Sequence, residues 1–346
     1  MYAPRFTITP AINSAIARIE RLRTIVERSR ILPSREVVLR RRAAIEATRS
    51  STGIEGNPLS EREVERALAG TYTGHADRFV TEVVNYKKAL SCIEKLSEDK
   101  HPFTVKNILS LHRLTMHGLL PKEKTGRFRK TPIYVVDIVG GKDILRYTGP
   151  KPDAVAGLVD DLCAWLDTDA SSLHPVLTAG IFHYAFVSIH PFADGNGRVT
   201  RLLTLLHLYW SGYGFRRVLV PDTYYFSDRK RYYAALNQAR TYQKQRQADM
   251  TPWLMYFTDG LLAAAEELAE KITSVSVSGD RREVVTLTPD DYRIVDLIGS
   301  LDNAGIADIV AATELSKRTV QRRLKYLADN RILRRMGAGP STRYLL

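Results

Sequence analysis

Cysteine is nearly missing from this chain of 346 residues. There are two, Cys92 and Cys163. Both stand in helix-like apolar stretches and offer no disulfide framework, so a reducing cytoplasm is the expected compartment. Long apolar runs are missing too. None reaches the roughly 18 residues that a membrane-spanning helix needs, and no membrane partner is expected. The opening Met-Tyr-Ala-Pro-Arg-Phe-Thr lacks the basic and apolar segments of a secretory signal. Internal repeats and low-complexity stretches are absent. Neither a His-Glu-x-x-His pattern nor a Cys pair occurs, which deprives zinc of its usual ligands. Acids are also in deficit, 38 against 51 Lys and Arg, for a net charge of +13.

What is present is ordinary for a soluble globular protein: 44% hydrophobic and 26% charged residues, with length for two or three domains. Part of the positive excess is concentrated. Between Ser316 and Leu346 nine Lys or Arg face one acid, Asp329. Such a patch suits a polyanionic partner. The bland alternative is that it only aids solubility.

The chain reads as mainly α. Apolar residues at helical spacing mark helices at 11–29 and 36–50. Asn57-Pro58 then breaks the pattern, and Ser60 with Glu63 makes a capping box for a new helix. Further helices are expected at 79–98, 104–119, 152–167, 175–189, 196–211, 229–242 and 250–272. Residues 131–148 are β-branched with Gly140-Gly141 in the middle, which predicts a β-hairpin. The expected division is an N-terminal helical region at 1–100, a core at 101–272, a linker at 273–288 and a small domain at 289–346.

Chemistry concentrates in His190-Pro191-Phe192-Ala193-Asp194-Gly195-Asn196-Gly197-Arg198-Val199-Thr200-Arg201. Val199, Leu202, Leu203 and Leu206 follow helical spacing, so this loop runs into a helix N-terminus. Free amides and the positive helix end suit phosphate there, and Gly195 and Gly197 leave room for close approach. Arg198 and Arg201 grip phosphate oxygens. Asp194 is a hard oxygen ligand suited to Mg²⁺. His190 is a base for an attacking hydroxyl. A bland reading survives, in which Asn196 and Asp194 merely cap a helix. His183, on the apolar helix before the loop, reads as a hydrogen-bonded core histidine.

The stretch resembles the active-site motif of Fic proteins, His-x-Phe-x-Asp/Glu-Gly-Asn-Gly-Arg-x-x-Arg. The similarity covers roughly residues 36–245, including Gly126-Arg127-Phe128-Arg129 and the pair Tyr232-Tyr233. It implies a Fic-type helical bundle with a hairpin flap, and transfer of AMP from ATP to a Ser, Thr or Tyr hydroxyl of a protein, the chain itself included. By this resemblance His190 is the base and Asp194 holds Mg²⁺. The loop amides, Arg198 and Arg201 hold phosphates. Ile133, Tyr134, Val135 and Val136 form the flap strand, which registers the target peptide by strand addition. Tyr232 and Tyr233 border the adenine. Arg240 departs from the family, whose members carry asparagine there, and Gly149 stands where proline is common. Ser51-Thr52-Gly53-Ile54-Glu55-Gly56 is similar to the family's inhibitory pattern, which makes Glu55 a competitor of the γ-phosphate for Arg201. Read without the resemblance, Gly56 closes a helix and Glu55 is a surface residue.

The tail resembles a winged helix-turn-helix. Helices are expected at 290–300 and 305–312. Ser316 caps a third that bears Lys317, Arg318, Gln321, Arg322 and Lys325, with Leu324 and Leu327 inward, and 331–335 and 342–345 read as wing strands. Such a domain binds double-stranded DNA. It also serves as a protein-contact or dimerisation module, which leaves a homodimer open. Two functions thus compete: a Mg²⁺-dependent protein adenylyltransferase autoinhibited by Glu55, or a DNA-binding transcriptional regulator that senses nucleotide without turnover. Removal of AMP by the same site is a variant of the first. Phosphoryl transfer is disfavoured by Gly197, because relatives with that activity carry lysine there.

Overall fold

The computed structural model describes residues 2–74, 77–139, 142–275, 287–301, 303–330 and 332–346. The chain opens with α1 (Pro10–Arg28) and α2 (Pro33–Ile54), each started by a proline in its first turn. α3 (Glu61–Leu68) starts as expected. The Ser60 side chain accepts from the Glu63 amide and the Glu63 carboxylate accepts from the Ser60 amide. α4 (Asp77–Leu96) and α5 (Val105–Thr115) follow.

The hairpin forms from β1 (Tyr134–Val139) and β2 (Lys142–Thr148), antiparallel, with a bulge between Val135 and Val136. Its expected tip, Gly140-Gly141, lies outside the described residues. α6 (Val155–Asp167) leads into α7 (Pro175–Ile189) and α8 (Asn196–Trp210), the two central helices.

Two departures from periodicity come next. Residues 222–227 form α9 (Asp222–Ser227), which apolar spacing had not marked. The expected helix at 229–242 is two short ones, α10 (Arg229–Leu236) and α11 (Tyr242–Gln247). They are parted by a backbone bridge from Thr241 to Thr148 at the end of the hairpin. The Gln245 side chain closes the break, accepting from the Ala239 amide at 2.7 Å and donating to the Leu236 carbonyl. Tertiary pairing here overrides local helical preference.

α12 (Thr251–Val275) lies along α1 and α7. It enters the expected linker by three residues, and 276–286 lie outside the described residues. One apolar core runs from Tyr2 to Ile272, joining the N-terminal helices to the central pair. Trp253 is fully buried in it and donates to the Gly180 carbonyl at 2.8 Å. Among the described residues no helix is long and apolar enough to cross a membrane.

The tail forms α13 (Pro289–Ser300), α14 (Ile306–Thr313) and α15 (Lys317–Asp329), then an antiparallel ribbon of β3 (Arg334–Met336) and β4 (Arg343–Leu345). Arg331 lies outside the described residues. A second core holds this unit together, with Leu324 and Leu327 buried as the spacing required. That core includes Val37 of α2. Beside it, Glu36 accepts from Tyr292 Oη at 2.7 Å, and the Arg40 guanidinium stacks 3.6 Å from the Tyr292 ring centre.

Candidate active site

The site is the turn between two helices that have no solvent face. Nearly every side chain of α7 and α8 is buried, so the turn between them cannot drift. α7 stops at His190, whose backbone is left-handed at φ 50° and ψ 60°, with Pro191 next. A residue before proline is driven out of the helical region. A positive φ without glycine persists only where surroundings hold it. Here three hydrogen bonds do so. His190 N–H donates to Phe186 O at 3.2 Å, its Nδ1 to Val187 O at 3.0 Å, and its carbonyl accepts from Arg129 Nε at 2.8 Å.

These contacts set the chemistry of the ring. With Nδ1 donating to a carbonyl, Nε2 is left as the basic nitrogen. Burial lowers the His190 pKa below the usual histidine value, and the Val187 carbonyl opposes the shift only in part. His190 is therefore neutral near pH 7 and ready to accept a proton.

The loop is braced from within. Asn196 clasps Phe192, accepting from its amide at 2.8 Å and donating to its carbonyl at 2.9 Å. Its side chain thus shapes the loop, and its backbone is what it leaves to the cavity. Gly195 opens α8 at φ 81°, and a Cβ there would stand 2.6 Å from Met116 Sδ. The first bond of α8 is Val199 N–H to Gly195 O at 3.0 Å. The amides of Asn196, Gly197 and Arg198 precede it and have no partner within the helix.

Asp194 is partly exposed and accepts from Arg198 Nη2 at 3.0 Å. Arg198 itself is buried in an ion pair with Glu82 of α4 and does not reach the cavity. Its position braces Asp194, a different place from the phosphate contact expected of it.

Arg201 is 1% exposed. Its Nε donates to Ser51 Oγ at 2.7 Å. Its Nη2 donates to Ser51 O at 2.9 Å and to Glu55 Oε1 at 2.7 Å. Asp222 lies behind, 3.8 Å from Nε. Any side chain at Gly197 would collide with the Glu55 carboxylate. The pattern Ser51 to Glu55 therefore closes on the second arginine of the loop.

These groups line a cavity of about 850 Å³, within the range of small-ligand sites, about 300–1,000 Å³. It brings together His190, Asp194, Gly195, Asn196, Gly197, Arg201, Glu55, Val135, Tyr232 and Tyr233. Ile133, Tyr134 and Val136 do not line it, and Tyr134 and Val136 face solvent on the flap. Alternation along the strand explains Tyr134 and Val136, since only every second side chain turns inward; Ile133 precedes β1 and is half-buried beside Gly149. Tyr233 forms the exposed wall. Tyr232 is buried behind it and bonds His183 Nε2 at 2.9 Å. His183 also bonds Thr204 Oγ1 at 3.0 Å, which makes it the core histidine that its position implied.

Residues 102–208 match the family model of the Fic/DOC family. This stretch is a Fic domain. The chain is 30% identical to the protein adenylyltransferase fic-1 of Caenorhabditis elegans over 264 residues, 74% of this chain and 47% of that one. It is 31% identical to the protein adenylyltransferase Fic of Drosophila yakuba over 279 residues, 75% of this chain and 52% of that one. The chain thus spans about half the length of the curated relatives it matches. A crystal structure of a Fic family protein from Desulfovibrio desulfuricans G20 superposes with a TM-score of 0.65 at 28% identity, covering 100% of this chain and 98% of that one.

Within this Fic fold several site residues lie outside the active-loop motif. His112 of α5 accepts from the Gly126 amide at 2.9 Å and donates to the Asp194 carbonyl at 3.1 Å. It stacks on Phe192 with ring centres 3.8 Å apart. Asn237 stands on the cavity wall, three residues before Arg240, whose carbonyl accepts from the Thr148 amide at 2.9 Å. Lys230 lines the same wall. None of these carries a local sequence signal: His112 acts through Gly126 and Asp194, and Asn237 and Lys230 reach the cavity only through the fold.

The histidines give the fold a pH signature. Burial pushes His112 and His207 down to about 4 and lowers His183 and His190. Each binds a proton in the unfolded chain at a pH where the fold refuses it, so their contribution is present above about pH 6.5 and is lost as pH falls toward 4. With about 1.4 kcal/mol per pKa unit, His112 and His207 each account for at most about 3 kcal/mol. The urea midpoint is expected to drop steadily between pH 6.5 and 4.5. A flat midpoint over that window contradicts the assignment.

Proposed function

We propose that this chain transfers AMP from ATP to a Ser, Thr or Tyr hydroxyl of a target protein, itself included, and that Glu55 restrains the reaction. The observation that carries the reading is the meeting of three parts in one cavity: a neutral histidine base, a glycine-lined helix N-terminus and a buried arginine. Binding a nucleotide needs no base, so the histidine favours turnover over a nucleotide sensor that regulates transcription. The relatives named protein adenylyltransferases support the same choice.

In this reading the amides of residues 196–198 and the Arg201 guanidinium hold the polyphosphate. The target hydroxyl oxygen attacks the α-phosphorus and its proton passes to His190 Nε2. The bond from that phosphorus to the bridging oxygen breaks, and pyrophosphate leaves. Tyr233 and Asn237 border the base of the nucleotide. The outer edge of β1 takes the target backbone as an added strand. Asp194 is a hard carboxylate at the cavity and fits Mg²⁺, which takes few protein ligands and keeps water and phosphate oxygens for the rest. When bound, the ion neutralises phosphate charge.

Glu55 competes directly. A carboxylate and a γ-phosphate both match the planar fork of Arg201, and one fork cannot hold both. With Glu55 in place the triphosphate is displaced from in-line geometry, and about 1 Å of misplacement costs on the order of 10²-fold in rate.

The tail supplies a second, separate contact. Lys317, Arg318, Arg322 and Lys325 are exposed on α15, and Arg334 and Arg335 on β3. A capped helix with one basic face, followed by a basic ribbon, suits the DNA groove and backbone of a winged helix-turn-helix.

Label incorporation from α-labelled ATP tests the enzyme reading. Glu55→Gly is expected to raise it. Adding His190→Ala is expected to cut the gained rate about 10²- to 10⁴-fold while ATP still binds. Equal rates in wild type and Glu55→Gly refute the inhibitory role, and an active double variant refutes the base. For the tail, neutralising about four phosphates gives a log–log slope of DNA affinity against salt near −3.6. Alanines at Lys317, Arg318, Arg322 and Lys325 are expected to remove that dependence. A wild-type chain that shifts no duplex at low salt excludes this partner.

A further inference from the structure

Arg129 is a buried arginine with no carboxylate against it. It is 5% exposed, and no Asp or Glu forms an ion pair with it among the described residues. Each of its three nitrogens donates to a backbone oxygen, on three separate segments. Nε donates to His190 O at 2.8 Å, Nη1 to Thr131 O at 2.9 Å and Nη2 to Pro150 O at 2.8 Å. Its own amide donates to Pro191 O at 2.9 Å. Thr131 leads into β1 and Pro150 follows β2, so one side chain ties both feet of the flap to the turn that carries the base.

The surroundings are built to let it do so. Gly149 N–H donates to Ile133 O at 3.1 Å, closing the hairpin base. A Cβ at Gly149 would stand 2.6 Å from Ile133 Cγ2 and 3.1 Å from Arg129 Nη2. A larger residue there would press on both the strand and the guanidinium. The carbonyl that Nε holds belongs to His190, whose left-handed backbone must be fixed from outside. Burying a guanidinium against carbonyls alone is costly, and desolvation accordingly lowers the pKa of Arg129. That cost is consistent with a role that packing residues would not fill.

We propose that Arg129 is a positioning residue that sets the distance between the His190 base and the flap strand, acting only through main-chain oxygens. It touches neither nucleotide nor target. Resting on the adenylyl-transfer reading, the proposal assigns it control of the transfer step and no part in ATP affinity. The flat fork with donors in three directions is what the site uses. Lysine keeps the charge but cannot reach three carbonyls at once.

The test uses the full chain carrying Glu55→Gly. Adding Arg129→Lys or Arg129→Ala is expected to lower kcat for transfer about 10²-fold, the order expected for roughly 1 Å of misplacement, with ATP affinity by calorimetry within twofold. Ethylguanidinium, which replaces the missing part of the side chain, is expected to restore Arg129→Ala at least about tenfold, and ethylammonium is not. A role in stability alone predicts that ATP affinity falls together with kcat and that neither amine rescues. That outcome overturns the proposal, as does a lysine variant at the full rate. Hydrogen exchange separates this proposal from the functional reading. If Glu55→Gly transfers nothing, the adenylyl reading has failed, while faster exchange of the Gly149 amide in Arg129→Lys still supports the yoke. Unchanged exchange there refutes it.

Discussion

A buried guanidinium cannot be left alone. Arg201 lies inside the core on α8, where an uncompensated charge would cost several kcal/mol, and its partners all come from elsewhere in the chain. Ser51 and Glu55 arrive on the last turn of α2, and Asp222 on the first residue of α9. Tyr86 Oη of α4 donates to Asp222 Oδ2 at 3.2 Å. One side chain thereby dictates that α2, α4 and α9 gather round α8. The N-terminal helices belong to the same core as the Fic motif for this reason, and the cavity acquires its back wall. The two carboxylates differ in a useful way. Asp222 is enclosed behind the arginine, whereas Glu55 is about a quarter exposed and faces the cavity.

The loop residues show how far type and spacing carry. That His190, Asp194, Gly195, Gly197 and Arg201 gather at one cavity was legible, because a glycine-bearing loop that runs into a helix N-terminus keeps them close together. Ser60 with Glu63, and the proline that opens α7, were legible because caps are local. Glu55 was legible only as half of a pattern, and its partner Arg201 lies 146 residues away. Arg198 shows the opposite case. Its type suits phosphate, yet a buried acid on α4 claims it, and no spacing within the motif announces Glu82. Tyr134 and Val136 illustrate strand alternation, with Val135 turned to the cavity between them, while Ile133 stands before the strand against Gly149. Arg129 and His112 bind backbone atoms, which every residue possesses, so sequence has no complementary letter to read against them.

The helix break at 237–241 and the unmarked α9 have one origin. Both lie where the chain crosses the end of the hairpin and the rear of Arg201. There the backbone serves a neighbour, Thr148 in one case and the buried arginine in the other. Apolar periodicity records which face of a helix meets the core. It does not record where a carbonyl or a carboxylate is wanted.

Gly197 narrows the routes by which such a protein can change its behaviour. The glycine lies beneath the Glu55 carboxylate, against the Arg201 guanidinium. Space that admits the glutamate is the same space that would admit a phosphate. Enlarging residue 197 therefore crowds the Glu55 carboxylate and the Arg201 guanidinium together, so it cannot remove one without disturbing the other. If Glu55 restrains the site as proposed, the far side of the contact, at Glu55 and the end of α2, is where it can be released alone. Codons for glutamate lie one base from those for glycine. A single base change there removes the proposed competitor and leaves Gly197 in place.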